Sequence, residues 1–251
     1  MRFSSASIAA VTAAFILAAQ NGTARAAEIK LLSSNALKTV VEELKPQFEM
    51  STEHKLVITF AAAANLKTQI EKGESFDLAI LTAPIVEDLI KQGKLAQGTA
   101  LARSGAGLAV RRGAPKPDIS STEAFKGALR NARSIGYVEQ GATGIYLKDL
   151  LARLGLAEEL KPKIKLLATA AGEAVANGEV EIGLTQISEI LPYAGADLVG
   201  PLPAEIQLYT DFAAALSAGA KQGEPAKALI RFLTAPAAMP VYKAKGLEPA
   251  G

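Results

Sequence analysis

The 251-residue chain contains no cysteine, no tryptophan and a single histidine. Without cysteine there are no disulfides and no thiolate nucleophiles or metal ligands, so burial alone must hold the fold. The one histidine, His54, lies in the polar run Ser51-Thr52-Glu53-His54-Lys55, which reads as solvated surface. Equally missing are a P-loop, a G-x-S-x-G elbow, an H-E-x-x-H pair and any cluster of His, Asp and Glu at metal spacing. No metal and no cofactor is implied. Nucleophilic and His-base mechanisms lack their usual parts, and the expectation is a protein that turns over nothing. The 25 Asp and Glu residues still leave a carboxylate-based hydrolase open. Charge is balanced: with Arg2 and Arg25 set aside, 25 basic residues face 25 acidic ones. No basic block is present to bind nucleic acid.

Long apolar runs are also scarce, with one exception. Ile8 to Ala19 carries no charge, follows Arg2, and leads through small and polar residues to Ala24-Arg25-Ala26. That is the three-part layout of a secretory signal peptide. It is shorter than the roughly 20 apolar residues of a transmembrane helix; an uncleaved anchor is the alternative. We therefore expect residues 1–26 to be removed. The mature chain would begin at Ala27, reside in the periplasm and have no stable membrane insertion. A mature chain of this size can bury about 70% of its unfolded surface and suits one large domain or two lobes.

Strand and helix signals alternate along the mature chain. Ile29 to Leu32, Leu56 to Phe60 and Leu78 to Leu81 read as buried strands. Leu37 to Phe48, Leu66 to Glu71 and Ile85 to Gln92 have helical apolar spacing, the last with Gly93 as its C-cap. Such alternation predicts an α/β fold with mostly parallel sheet covered on both faces. Gly105 to Val110 starts another strand, and further strand and helix signals run to the helix Pro225 to Leu233.

What stands out chemically is a set of small-residue turns at helix starts. These are Ser33-Ser34-Asn35-Ala36, Ala61-Ala62-Ala63-Ala64-Asn65 and Gln140-Gly141-Ala142-Thr143-Gly144. Helix N-termini present unpaired N–H groups and partial positive charge, so three converging turns make an anion site. The plainer alternative is that small residues merely cap their helices.

The order of these segments resembles the molybdate-binding-like group of periplasmic solute-binding proteins. The resemblance rests on the SSNAL turn, the segment TFAAAANLKTQIEKGESFDLAIL, the segment VEQGATGIYLKDLLARLGL and the closing stretch from Pro225 to Leu247. It implies the two-lobed type II binding-protein fold and a ligand cleft between the lobes. The partners it implies are a small anion and the membrane permease of an ABC importer; a monomer is expected. Lobe one would take residues 27–104 and return over 208–251, with lobe two over 105–207. An exported ligand sensor on the same fold remains an alternative.

The resemblance also locates the departures. Ala36 and Ala63 stand where molybdate binders carry hydroxyl-bearing serines, and Gln186 stands where they carry a tyrosine. Each buried group left unpaired costs about 1–3 kcal/mol. A small tetrahedral dianion is thus disfavoured against an organic carboxylate. The expected ligand-binding residues are Ser34, Asn35, Ala36, Ala63, Ala64, Asn65, Thr143, Gly144 and Gln186. Backbone N–H groups at Ala36, Ala63 and Thr143 would carry the anion, while Gln186 and Asn65 would read its shape.

Overall fold

The computed structural model describes residues 26–168 and 170–250. The signal peptide expected over residues 1–26 lies, but for Ala26, outside the described residues. Among them no helix is long and apolar enough to cross a membrane.

The chain opens with three strand–helix units: β1 (Glu28–Ser34), α1 (Lys38–Thr52), β2 (Lys55–Ala61), α2 (Ala63–Glu71), β3 (Leu78–Thr82) and α3 (Ala83–Lys91). α1 buries Val40 and Val41, then Leu44 and Phe48 at three- and four-residue steps, on one face. β3 is buried at all five positions, as a central strand covered on both faces must be. A 17-residue strand, β4 (Leu95–Arg111), follows. Then come α4 (Thr122–Asn131), β5 (Ile135–Tyr137), α5 (Ala142–Arg153), α6 (Ala157–Leu160), β6 (Ile164–Leu166), α7 (Ala171–Ala176), β7 (Ile182–Gln186) and β8 (Ala196–Pro201). The chain closes with β9 (Tyr209–Ser217), α8 (Gly223–Leu233), α9 (Met239–Ala244) and β10 (Glu248–Pro249).

The strands line up in the order β2-β1-β3-β9-β4-β7-β5-β6, with β8 and β10 also paired to β4. β1 pairs in parallel with β2 and β3, and β5 pairs in parallel with β6 and β7. The remaining pairs, made by β4, β8, β9 and β10, are antiparallel. The sheet is therefore mixed: parallel at its outer strands and antiparallel where the chain crosses between its halves. The reason is that β4 and β9 run from one half toward the other instead of closing a βαβ unit.

Apolar residues divide accordingly. From the first and last parts of the chain, Ile29, Leu37, Phe48, Leu78, Ile80, Phe212, Leu229 and Tyr242 pack as one core, and Leu66, Ile70, Phe76, Leu81, Val86 and Leu89 fill the opposite sheet face. From the middle part, Leu108, Phe125, Ile135, Leu147, Leu151, Ile182 and Leu184 form a separate core. Asp77 ties the first half together. Its Oδ2 accepts from Lys30 N at 2.9 Å, and its Oδ1 accepts from Lys221 N and Gln222 N at 2.9 Å, just ahead of α8. Ala106 N, at the crossing, donates to Gln207 Oε1 at 3.1 Å.

One reading is corrected. His54 is not solvated but buried at the end of α1. Its Nδ1 accepts from Ala27 N at 3.2 Å, and its ring lies 6.3 Å from that of Phe48.

Candidate functional site

The C-terminal ends of β1, β3 and β7 meet the starts of α2 and α5 around a cavity of about 40 Å³. This is where open α/β sheets leave a crevice, beyond the carboxyl ends of their strands. From the first half it is lined by Ser34, Asn35, Ala36, Ala62, Ala63, Thr82 and Phe212. From the second it is lined by Val138, Gly141, Ala142, Thr143, Gly144, Ala170, Leu184, Thr185, Gln186 and Glu189.

Three helix starts face it. The 3-10 turn Asn35–Leu37 runs straight into α1, and Ser34 before it makes no side-chain cap. Ala62 precedes α2 and Gly141 precedes α5, again without a side-chain cap. α4, away from the cavity, is capped: Ser121 Oγ accepts from Ala124 N at 3.1 Å. Ala62 and Gly141 occupy the N-cap positions of α2 and α5, and at none of the three starts does a side-chain oxygen accept from the first N–H groups. Gly144 has its own reason. A Cβ there would overlap the Val138 carbonyl, standing 2.8 Å from its carbon. Only glycine lets α5 sit so close to the preceding turn.

Gln186 is 3% exposed, on β7. Its Nε2 donates to Thr143 Oγ1 at 3.2 Å and to Thr210 Oγ1 on β9 at 2.8 Å. This one amide thus ties β7 to the start of α5 and to β9. Its Oε1 is buried without a partner. Three residues on, Glu189 accepts a 2.6 Å hydrogen bond at Oε2 from Thr185 Oγ1. Glu189 is half-buried, and desolvation holds its carboxyl above its ordinary range, outweighing the bonds from Thr185 Oγ1 and the Gln186 backbone N–H that favour ionisation.

Beyond Glu189 lies a second recess of about 160 Å³, which shares Asn35, Ala170 and Glu189 with the cavity and adds Lys38, Thr39, Glu173, Ser188, Pro192 and Tyr193. A larger open groove of about 980 Å³ surrounds the C-terminal end of β4. Its Arg133 is already paired with Glu181 at 2.9 Å, and no helix start of the three faces it.

Of the residues singled out from sequence, Ser34, Asn35, Ala36, Ala63, Thr143, Gly144 and Gln186 line the cavity; Ala64 and Asn65 do not. Each helical residue turns about 100° from the last, so Asn65, two past Ala63, faces solvent. Sequence reasoning missed Thr82, Thr185, Glu189 and Phe212. The polar three sit at strand ends or in the turn after β7, where a strand-then-turn boundary was the available signal.

Comparisons with known proteins accord with this geometry. The model of a family described as bacterial extracellular solute-binding proteins matches residues 29–248. An aconitate isomerase of a Pseudomonas species is 31% identical over 243 residues, spanning 93% of this chain and 91% of the relative. A molybdate-binding protein of Azotobacter vinelandii is 26% identical over 238 residues, spanning 89% and 90%. The solved periplasmic molybdate-binding protein of that organism superposes with a TM-score of 0.75 at 19% identity, covering 89% of this chain and 100% of that one. At that identity the likeness is one of fold.

Proposed function

Because the chain belongs to the bacterial extracellular solute-binding proteins, we propose that its cavity takes a small organic polycarboxylate. The protein receives this anion in the periplasm and delivers it to the membrane permease of an ABC importer. One observation carries the choice of ligand class: the cavity adjoins a second recess across Asn35, Ala170 and Glu189. Uncapped helix starts in the first suit one carboxylate. Lys38 in the second, held only loosely by Glu42 at 4.0 Å, suits another. A compact tetrahedral oxyanion would fill the first and leave the second without a charge to meet. Ala36 and Ala63, which offer only backbone N–H groups, favour the same class.

The halves act as lobes, one of residues 27–104 with 208–251 and the other of 105–207. Their separate cores support a hinge at the two crossings. Closure on the anion draws the α5 start toward those of α1 and α2, and the closed form is the one a permease engages.

A second reading is favoured by the 31% identity to an aconitate isomerase. In it the same cleft isomerises an unsaturated polycarboxylate.

Calorimetry with aconitate, citrate, molybdate and tungstate tests the first reading. The tricarboxylates should bind with closure, seen as a smaller radius of gyration in solution scattering. Nanomolar molybdate binding with no tricarboxylate binding would overturn it. Conversion of aconitate between its geometric isomers would establish the second reading.

A further inference from the structure

Two features of the cavity do not serve anion binding. Glu189 brings a carboxyl into a space whose helix starts attract negative charge, and among the described residues no cation lies within ion-pairing distance of it. Gln186 Oε1, an acceptor, is buried there without a donor. A site built only to hold a fully ionised oxyanion would have neither, since such a ligand has no hydrogen to give. A polycarboxylate with a methylene beside a double bond does have one, on carbon.

We propose that Glu189 is a proton-carrying residue: it takes a proton from the methylene carbon of an unsaturated polycarboxylate bound in the cavity and returns it to the far carbon of the double bond. The proposal rests on the carboxylate reading of the cleft and assigns the residue for its isomerase variant. The step balances without a co-reactant. The C–H bond breaks toward Glu189 as base; its electron pair spreads over the three allylic carbons and the attached carboxylates. The same proton, or one exchanged for it, then forms a C–H bond at the other end, and the double bond has moved by one carbon. On a symmetric tricarboxylate skeleton this exchanges one geometric isomer for the other with no rotation about a double bond.

The surroundings match each need of that step. The starts of α1, α2 and α5 face the ligand's carboxylates, where the allylic charge collects. Thr185 Oγ1, 2.6 Å from Glu189 Oε2, fixes the carboxyl's orientation. Burial raises the proton affinity of Glu189, which a base for a carbon acid requires. Glu189 also borders the outer recess with Lys38, Glu173 and Tyr193, a route by which its proton exchanges with water.

The test compares wild type with Glu189→Gln, which keeps an acceptor for Thr185, using cis- and trans-aconitate in D2O. Calorimetry reads binding, and proton NMR reads isomer conversion and deuterium at the methylene carbon. Wild type should bind, and convert or exchange. Glu189→Gln should bind within about threefold yet lose conversion and exchange by roughly 10²–10⁴-fold. Wild type that binds but neither converts nor exchanges overturns the proton role and leaves the binding reading standing. A variant that converts as fast as wild type overturns it too. Absence of aconitate binding by wild type overturns the carboxylate reading and the proton role together. Should Glu189→Gln fail to fold, Thr185→Val replaces it: loss of the hydroxyl should slow conversion at least tenfold, and unchanged conversion counts against the proposal.

Discussion

Replacing Gly144 by alanine should damage the cavity from behind. The new Cβ would stand 2.8 Å from the Val138 carbonyl carbon and 3.1 Å from Glu139 Cα. Carbon atoms settle at about 3.5–4.0 Å, so α5 and the turn before it must part by about 1 Å. Overpacking of this kind costs about 1–3 kcal/mol. At roughly 2–4 °C per kcal/mol for a chain of this size, the melting temperature falls by about 2–12 °C. The same movement takes Thr143 Oγ1, now 3.2 Å from Gln186 Nε2, out of hydrogen-bonding range. It also draws the α5 N–H groups away from a bound anion. Loss of one charge-assisted hydrogen bond, about 1.5–3 kcal/mol, weakens binding by roughly 10- to 100-fold. Calorimetric titration of aconitate beside a thermal melt measures both effects. Gly127→Ala in α4, where a Cβ meets nothing within 4 Å, is the control and should stabilise by about 0.5–1 kcal/mol. A Gly144→Ala protein that melts and binds like wild type would refute the close approach as the device that aims α5.

Other perturbations separate structure from binding. Asp77→Ala leaves three backbone donors, those of Lys30, Lys221 and Gln222, without their carboxylate and should cost about 3 kcal/mol in urea unfolding; a loss below 1 kcal/mol would deny Asp77 its tying role. Gln186→Ala should weaken aconitate binding by about 1–3 kcal/mol, whereas Asn65→Ala, on the exposed face of α2, should leave it unchanged. Because burial raises the native pKa of Glu189 above the ordinary 4.5, the folded state holds more protons there than the unfolded one. Stability therefore falls as pH rises from that value through the native pKa. Glu189→Gln removes this loss: its unfolding free energy should match wild type in acid and exceed it progressively above pH 4.5, and parallel pH profiles would show that Glu189 bears no such penalty.

The parts of this molecule that are local in the chain were readable from it. Leu78 to Leu81 announced a buried strand because a central strand is apolar on both faces, and the three turns were visible because a helix start is a matter of consecutive residues. β4 was caught only from Gly105 onward. Its first half, through Gln97-Gly98-Thr99, is polar and carries no alternation, and it is held as strand by β9, more than a hundred residues away. Asn65 was misplaced because a turn motif does not say how far the helix rotates before a side chain faces the cleft. Glu189 was overlooked for a related reason: a glutamate three residues past a strand end looks like surface until the other half closes over it. His54 shows the same limit in a polar run, since its burial depends on Phe48 and on Ala27 lying alongside.

The place of β9 in the sheet governs the order in which the chain can assemble. It lies between β3 and β4, yet it is made of residues 209–217, after everything else in the sheet except β10. The middle segment is continuous and can collapse on its own core as soon as it is delivered. The amino-terminal segment cannot, because β3 and β4 have no partner between them until the last part of the chain arrives. A chain emerging amino end first therefore keeps its leading portion incomplete to the end, and chaperones would meet the edge of β3 throughout that interval. Truncation before residue 209 should leave the trailing core folded and the leading one not.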